Sequence, residues 1–410
     1  MSNPCHNYSR EKQLRFHAMA KPVGPKCNLS CSYCFYLHKE GFLENENSWL
    51  MPDDILEEFI RQYIQHQDHE EIVFTWQGGE PTLAGINFYE KVVQFENKHR
   101  GHKTIHNDLQ TNGVLLNDEW CEFLKKNNFL VGLSIDGPED INNHHRLTKA
   151  GDTVFKQVLN SISLLKKYAV PFNALVTVNR DNAKHPLVVY RYLRDVIQPR
   201  LIQFNPCVEV RDFDKKAPPY TFPDELINAT TKSTNQEAFR SLVNEWTVEP
   251  DDYGSFLCEI FDEWHQNDIG KTFVLNFECA VAQQVGVYGY MCTFGEICGK
   301  GLAVEHNGSI YSCDHYVYPE YLLGNIMTRG LKDAILSPRQ RRFGFDKKHE
   351  LPKYCLECKY LYMCYGECPK NRFLKTPSGE DGLNYLCSGL KKFFSHTESR
   401  IKNIAKNLSQ

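Results

Sequence analysis

From Phe16 to about Cys207, short runs of β-branched and aromatic residues alternate with amphipathic stretches of helical period. Ile72 to Thr75, Ile105 to Gln110, Phe129 to Ile135, Phe172 to Val178 and Leu201 to Asn205 read as strands. Between them, Ile55, Leu56, Phe59, Ile60 and Tyr63 recur at helical spacing, as do Val154, Phe155, Val158, Leu159 and Ile162. Each set makes one apolar stripe, which a helix buries against a sheet. The alternation predicts an α/β fold of repeated β-α units around a parallel sheet. Gly and polar residues follow several strands directly, in Gln77-Gly78-Gly79-Glu80-Pro81, Gln110-Thr111-Asn112-Gly113 and Ser134-Ile135-Asp136-Gly137. They collect at one set of strand ends, the edge that carries the active site in parallel α/β architectures.

From Arg211 to about Pro250 the chain turns polar and loses any period, as an insertion or bridge would. A helical stripe resumes near Tyr253 with Phe256, Leu257, Ile260, Phe261 and Trp264. After Met291 the segments are short and rich in Gly, Tyr and Cys, as expected where bound metal stands in for a hydrophobic core.

At 410 residues the chain suggests a large domain with smaller units, and a hydrophobic fraction of 41% can fill its core. With 47 Lys and Arg against 51 Asp and Glu, bulk charge gives no attraction to nucleic acid or to an anionic membrane. Met1 to Arg15 lacks the apolar run of a signal peptide, and no stretch approaches the roughly 20 apolar residues of a membrane span. A cytoplasmic protein is expected. Sixteen cysteines are then the anomaly, since a reducing cytosol disfavours disulfides and points to metal or redox chemistry.

Cys27, Cys31 and Cys34 form Cys-x3-Cys-x2-Cys, followed by Phe35 and Tyr36, in a loop between a strand and a helix. Random placement would give this spacing about 0.02 times in such a chain. Three thiolates can hold three irons of a 4Fe-4S cluster and leave the fourth open to an exogenous molecule. A structural zinc loop, completed by His38, is the alternative, although zinc in that role favours four closed ligands and Cys-x2-Cys. Farther on come Cys292, Cys298 and Cys313, then Cys355, Cys358, Cys364 and Cys368, then Cys387. Eight cysteines suit two closed 4Fe-4S clusters or two zinc ions, and spacing alone does not choose. Cys5, Cys121, Cys207, Cys258 and Cys279 remain, mostly in apolar surroundings typical of buried small side chains.

The three-cysteine loop resembles that of the radical S-adenosylmethionine (SAM) superfamily, and Gln77 to Pro81 matches its Gly-Gly-Glu-Pro segment. The resemblance implies a partial (β/α)6 barrel whose Gly78, Gly79 and Glu80 receive the amino group of SAM. It also implies that Tyr33 lies against SAM, that Ser134 and Arg146 bind its ribose and carboxylate, and that Val208 borders its adenine. The later cysteines, with Gly308 among them, resemble the SPASM extension of radical SAM maturases. Carried over, one auxiliary cluster takes Cys292, Cys298, Cys313 and Cys368, and the other takes Cys355, Cys358, Cys364 and Cys387. Three 4Fe-4S clusters result. The implied division is a radical SAM core at 16–250, a connecting helical segment at 251–291 and a SPASM domain at 292–390.

Asp314 directly follows Cys313, and Cys-Asp at this point resembles the anaerobic sulfatase-maturating enzymes, in which that Asp accepts a proton. The implied reaction is oxidation of a Cys or Ser in an unfolded or nascent sulfatase to Cα-formylglycine, with Tyr36 and Gln77 positioning the peptide. Electrons would come from a donor such as flavodoxin or ferredoxin. The competing readings are another SPASM peptide maturase, which would share every cysteine, and a non-catalytic electron-transfer protein. The open-iron loop and the Gly-Gly-Glu-Pro segment disfavour the latter.

Overall fold

The computed structural model describes residues 14–43, 48–218, 240–287 and 291–408. Its centre is a ten-stranded sheet ordered β10-β9-β8-β1-β2-β3-β4-β5-β6-β7. The strands are β1 (His17–Ala20), β2 (Glu71–Trp76), β3 (Thr104–Thr111), β4 (Phe129–Ser134), β5 (Phe172–Val178), β6 (Leu201–Pro206), β7 (Phe273–Val274), β8 (Gly301–Val304), β9 (Ser309–Tyr311) and β10 (Leu322–Asn325). Every pairing from β8 through β1 to β7 is parallel, and β8, β9 and β10 form an antiparallel meander. The sheet stays open, as a partial barrel does.

All five strands expected from the apolar runs are present, and the two apolar stripes become α1 (Asp53–Gln65) and α2 (Phe155–Lys167). In α1, Leu56, Phe59, Ile60 and Tyr63 face the sheet, while Asp53 and Asp54 place negative charge in the first turn, where the helix dipole favours it. The stripe from Tyr253 lies in α3 (Pro250–Asn267). The short β7, within the stretch expected to be a connecting helical segment, extends the sheet beyond β6.

The Cys-rich end departs from expectation. Leu302, Val304, Ile310, Leu323, Phe373, Leu386 and Phe393 belong to the same buried cluster as Phe74, Trp76 and Val131 of the barrel. Metal does not replace a core here, because β8 hydrogen-bonds along β1 and makes the meander part of the main sheet. A final helix, α4 (Cys387–Leu408), turns Leu390, Phe393, Phe394, Ile401 and Ala405 inward against α3. Cys121, Cys207, Cys258 and Cys279 are buried as expected, and Cys5 lies outside the described residues. Among those residues, no helix is long and apolar enough to cross a membrane.

The α3–α4 crossing depends on two glycines. A Cβ on Gly389 would lie 1.8 Å from the Pro250 carbonyl oxygen, and one on Gly254 would lie 2.5 Å from the Gly389 carbonyl oxygen. Gly389→Ala therefore drives backbone from backbone, with an expected loss of about 1–3 kcal/mol. Thermal unfolding should show a lower Tm, whereas an unchanged Tm would mean that the helices do not touch there.

Candidate active site at the carboxyl edge of the sheet

Lys21 follows β1 at its carboxyl end, and the chain then forms the loop that carries Cys27, Cys31 and Cys34. Two neighbouring segments fix that loop. On one side, Gly79 N–H donates to the Gly24 carbonyl and Glu80 N–H to the Lys26 carbonyl, both at 2.8 Å. This approach requires glycine, because a Cβ on Gly79 would sit 2.0 Å from the Lys26 carbonyl oxygen, and Gly78 has φ +132°. On the other side, Ser30 N–H donates to Leu147 at 2.8 Å and Ser32 N–H to His145 at 3.2 Å.

Glu80 is fully buried and acts as an organiser. Its carboxylate accepts from Thr82 N–H (3.0 Å), Thr82 Oγ1 (2.6 Å), Thr111 Oγ1 (2.7 Å) and Asn112 N–H (2.7 Å). Asn112 in turn reaches Asn28 Oδ1 at 2.8 Å and Cys27 Sγ at 3.7 Å. The ends of β2 and β3 are thus tied to the cysteine loop.

Burial pushes the Cys27 thiol up to about 11 and the Cys31 thiol up to about 12, with the Arg146 charge pulling Cys31 back. Thiolates at such positions need a bound cation, which a metal supplies. A single zinc ion holds its sulfurs about 3.8 Å apart. Among the described residues, no three cysteine sulfurs come within 4.8 Å of one another. His38, which a zinc site would recruit, packs instead on Phe213 at 4.6 Å between ring centroids.

Tyr33 and Arg146 meet on Asp136, to which no motif assigns a role. The Tyr33 hydroxyl donates to Asp136, whose carboxylate also receives Arg146 Nε at 2.9 Å and Thr177 N–H at 2.9 Å. The Arg146 guanidinium lies 5.6 Å from the Tyr33 ring centroid. Ser134 Oγ accepts from Gln110 Nε2 at 3.0 Å. Val208 is buried, and its carbonyl accepts from Lys370 Nζ at 2.6 Å. Asp136 was legible as a polar residue followed by Gly at a strand end, one position class shared with Gln77.

Asp314 forms an ion pair with Lys21, also missed, whose side chain is 1% exposed. Burial pushes the Asp314 carboxyl up, but Lys21, with His315 and Lys39, more than offsets this and holds it below the ordinary carboxylate range. Lys21 Nζ lies 4.5 Å from the Tyr36 ring centroid, and the Tyr36 hydroxyl donates to Glu305. Gln77 N–H donates to the Ala20 carbonyl at 3.0 Å, and its amide lies 2.8 Å from Met19 Sδ. Tyr36, Lys21 and Asp314 therefore share one face of the edge, with Gln77 at the adjoining strand end.

The later cysteines separate into two groups in space. Cys292, Cys298, Cys313 and Cys368 lie within electrostatic reach of one another. The backbone at Cys292 is held by Lys347, whose Nζ donates to the Cys292 and Thr293 carbonyls at 2.8 Å. Cys355, Cys358, Cys364 and Cys387 line a single cavity with Gly366 and Lys391. The turn before β9 needs Gly308, which has φ +81°.

An open parallel sheet with a three-cysteine loop after its first strand, followed by two four-cysteine groups, defines an iron-sulfur protein of the radical SAM class. The profile of the Radical SAM superfamily matches residues 22–193, and that of an iron-sulfur cluster-binding domain, SPASM, matches residues 292–359. The serine-type anaerobic sulfatase-maturating enzyme of Bacteroides thetaiotaomicron is 41% identical over 96% of this chain and 92% of its own length. The cysteine-type enzyme of Clostridium perfringens is 32% identical over 95% of this chain and 98% of its own. A solved structure of native anSMEcpe with bound AdoMet and Cp18Cys peptide aligns with TM-score 0.81 at 30% identity, covering 96% of this chain and all of that one. The chain belongs to the anaerobic sulfatase-maturating enzyme family of radical SAM proteins.

The Gly79 contact yields a test. Gly79→Ala should displace the cysteine loop and lower SAM cleavage by about 10²-fold, the scale of an ångström-sized misplacement. Gly41→Ala, with open space around its Cβ, should leave cleavage intact. Measurement of 5′-deoxyadenosine per iron checks both, and equal rates would show that the close approach is not needed.

Proposed function

We propose that this protein oxidises a Cys or Ser residue of an unfolded or nascent sulfatase to Cα-formylglycine, without oxygen and in the cytoplasm. The observation that carries the reading is the ion pair between buried Lys21 and partly buried Asp314 beside Tyr36, at the edge where the three-cysteine loop emerges. Cys27, Cys31 and Cys34 would hold the cluster that binds SAM. Cys292, Cys298, Cys313 and Cys368 would hold a second, and Cys355, Cys358, Cys364 and Cys387 a third. Reduction by a flavodoxin- or ferredoxin-type donor is part of the proposal, as is a core at 16–250, a connection at 251–291 and a SPASM domain at 292–390.

With SAM and the clusters bound, the chemistry supplied is a 5′-deoxyadenosyl radical that removes hydrogen from the substrate Cβ and an acceptor for the remaining electron. The chain's own residues do the rest. Asp314, held ionised by Lys21, accepts the proton that leaves the substrate thiol or hydroxyl. A serine then ends directly as the aldehyde, whereas a cysteine ends as a thioaldehyde that water hydrolyses to formylglycine with release of hydrogen sulfide. Tyr36 and Gln77 orient the peptide over the cysteine loop. Gly78, Gly79 and Glu80 offer carbonyl acceptors to the amino group of SAM, since two of their N–H groups are already spent on the loop. Arg146, steered by Asp136, would take the SAM carboxylate with its remaining donors, while Tyr33, Ser134 and Val208 border the nucleoside and methionine. Glu80 contributes by shaping the segment, its own carboxylate being saturated.

Anaerobic reconstitution should give about twelve iron and twelve sulfide per chain. Zinc with only about four iron would contradict the two C-terminal clusters. Incubation with SAM, reductant and sulfatase-motif peptides should convert a Cys or Ser peptide to the aldehyde, seen by mass spectrometry. SAM cleavage with neither peptide converted would favour another peptide maturase.

A further inference from the structure

Ser32 braces the cysteine loop against the short helix Glu139–His145, and that helix ends in two adjacent histidines. His145 Nε2 lies 2.8 Å from Asp181 Oδ2, and His144 Nε2 lies 3.7 Å from the same oxygen. All three atoms are within 4.8 Å of one another. Among the described residues this is the one place where three His, Cys, Asp or Glu side chains converge so closely. The three residues belong neither to the cysteine groups nor to the contacts proposed for SAM and the peptide.

The His145–Asp181 hydrogen bond satisfies those two groups by itself, but it leaves His144 unexplained. Successive side chains on a helix diverge by about 100°, and the His144 ring, 61% exposed, is free to point to water. Its Nε2 is turned onto Asp181 instead, with the two histidine ring centroids 4.7 Å apart and their planes tilted by 33°. A tetrahedral zinc ion, with bonds of about 2.0–2.1 Å, sets its nitrogen and oxygen donors about 3.3 Å apart. The observed 2.8 and 3.7 Å bracket that spacing. The surroundings also suit a ligand set. His145 Nδ1 lies 2.6 Å from Ser32 Oγ, and in the tautomer protonated at Nδ1 it donates to that hydroxyl and leaves Nε2 its lone pair. Metal-bound histidines are ordinarily oriented in this way by a partner on the other ring nitrogen. Asp181 sits in the loop after β5, where Asn179 Oδ1 fixes the backbone by accepting from Asp181 N–H at 2.9 Å and Asn182 N–H at 3.1 Å.

We propose that His144, His145 and Asp181 form a site for one divalent transition-metal ion of the zinc class, with water at the fourth position. Two imidazoles and a carboxylate suit zinc, whereas calcium and magnesium take oxygen ligands. With three protein ligands the site stays open at one position, unlike the closed four-ligand sites that hold small folds together. Bound zinc therefore tightens a structure that already exists. It ties the end of the helix to the β5 loop and, through Ser32, braces the cysteine loop between Cys31 and Tyr33. The ion performs no step of the radical chemistry, and the site does not depend on the function proposed above.

The test uses the full chain with its clusters assembled, so that the cluster thiolates are already occupied by iron. Zinc is titrated anaerobically in competition with a chromophoric chelator, and zinc and iron are counted by plasma mass spectrometry after gel filtration. The wild-type chain should bind one zinc with its iron content unchanged. His144→Ala, which removes an exposed side chain, should weaken binding by about tenfold or more, at least the scale seen when even an outer-shell partner of a metal site is lost. Asp181→Asn should weaken it likewise. Without zinc, His144→Ala should unfold at the wild-type Tm, which shows that the variant is folded; added zinc should raise the Tm of the wild type and leave that of the variant unchanged. Absence of zinc from the wild-type chain, equal affinity in His144→Ala, or zinc gained only as iron is lost would overturn the proposal.

Discussion

The parallel pairing of β1 with β8 is the constraint on which the site depends. Register runs from His17 opposite Gly301 to Ala20 opposite Val304, and Lys21 N–H continues it by donating to the Val304 carbonyl at 2.9 Å. A strand more than 280 positions away in sequence is thereby fixed at the start of the cysteine loop. Glu305 and Asp314 then fall where Tyr36 and Lys21 can meet them. A one-residue slip would turn each β8 side chain to the opposite face and separate both pairs. The redox region and the barrel edge are consequently one structure with one apolar core.

This arrangement assigns different physics to neighbouring polar groups. Glu80 is buried with four donors and fixes backbone, whereas Asp314 is partly buried with one cation and keeps a charge available. Arg146 and Tyr33 are oriented through Asp136. Glycine enters where backbone must touch backbone: Gly79 against Lys26 at the cysteine loop, and Gly389 against Pro250 where the last helix delivers Cys387.

Much of this was legible in the sequence. Short β-branched and aromatic runs located β2 to β6, helical stripes located two of the helices that cover them, and Cys spacing marked the loop and both C-terminal groups. The interleaving that sends Cys368 to one group and Cys387 to the other came from resemblance, since spacing carries no pairing information. The β1–β8 junction escaped because Gly301 to Val304 is too short to give a pattern, and pairing between distant strands has no local signal. Lys21 escaped for a related reason. A lysine is ordinarily exposed, and only tertiary structure shows this one at 1% exposure beside Asp314.

The most direct measurement concerns Asp314. The Asn variant keeps the shape and loses the proton acceptor, while hydrogen abstraction from Cβ needs no carboxylate. With a peptide deuterated at the target Cβ and iron content matched to wild type, deuterium should still appear in 5′-deoxyadenosine, while formylglycine falls by about 10²-fold or more. Formation of formylglycine at the wild-type rate by a variant with full iron content would contradict the role of Asp314 and the chemistry built on it.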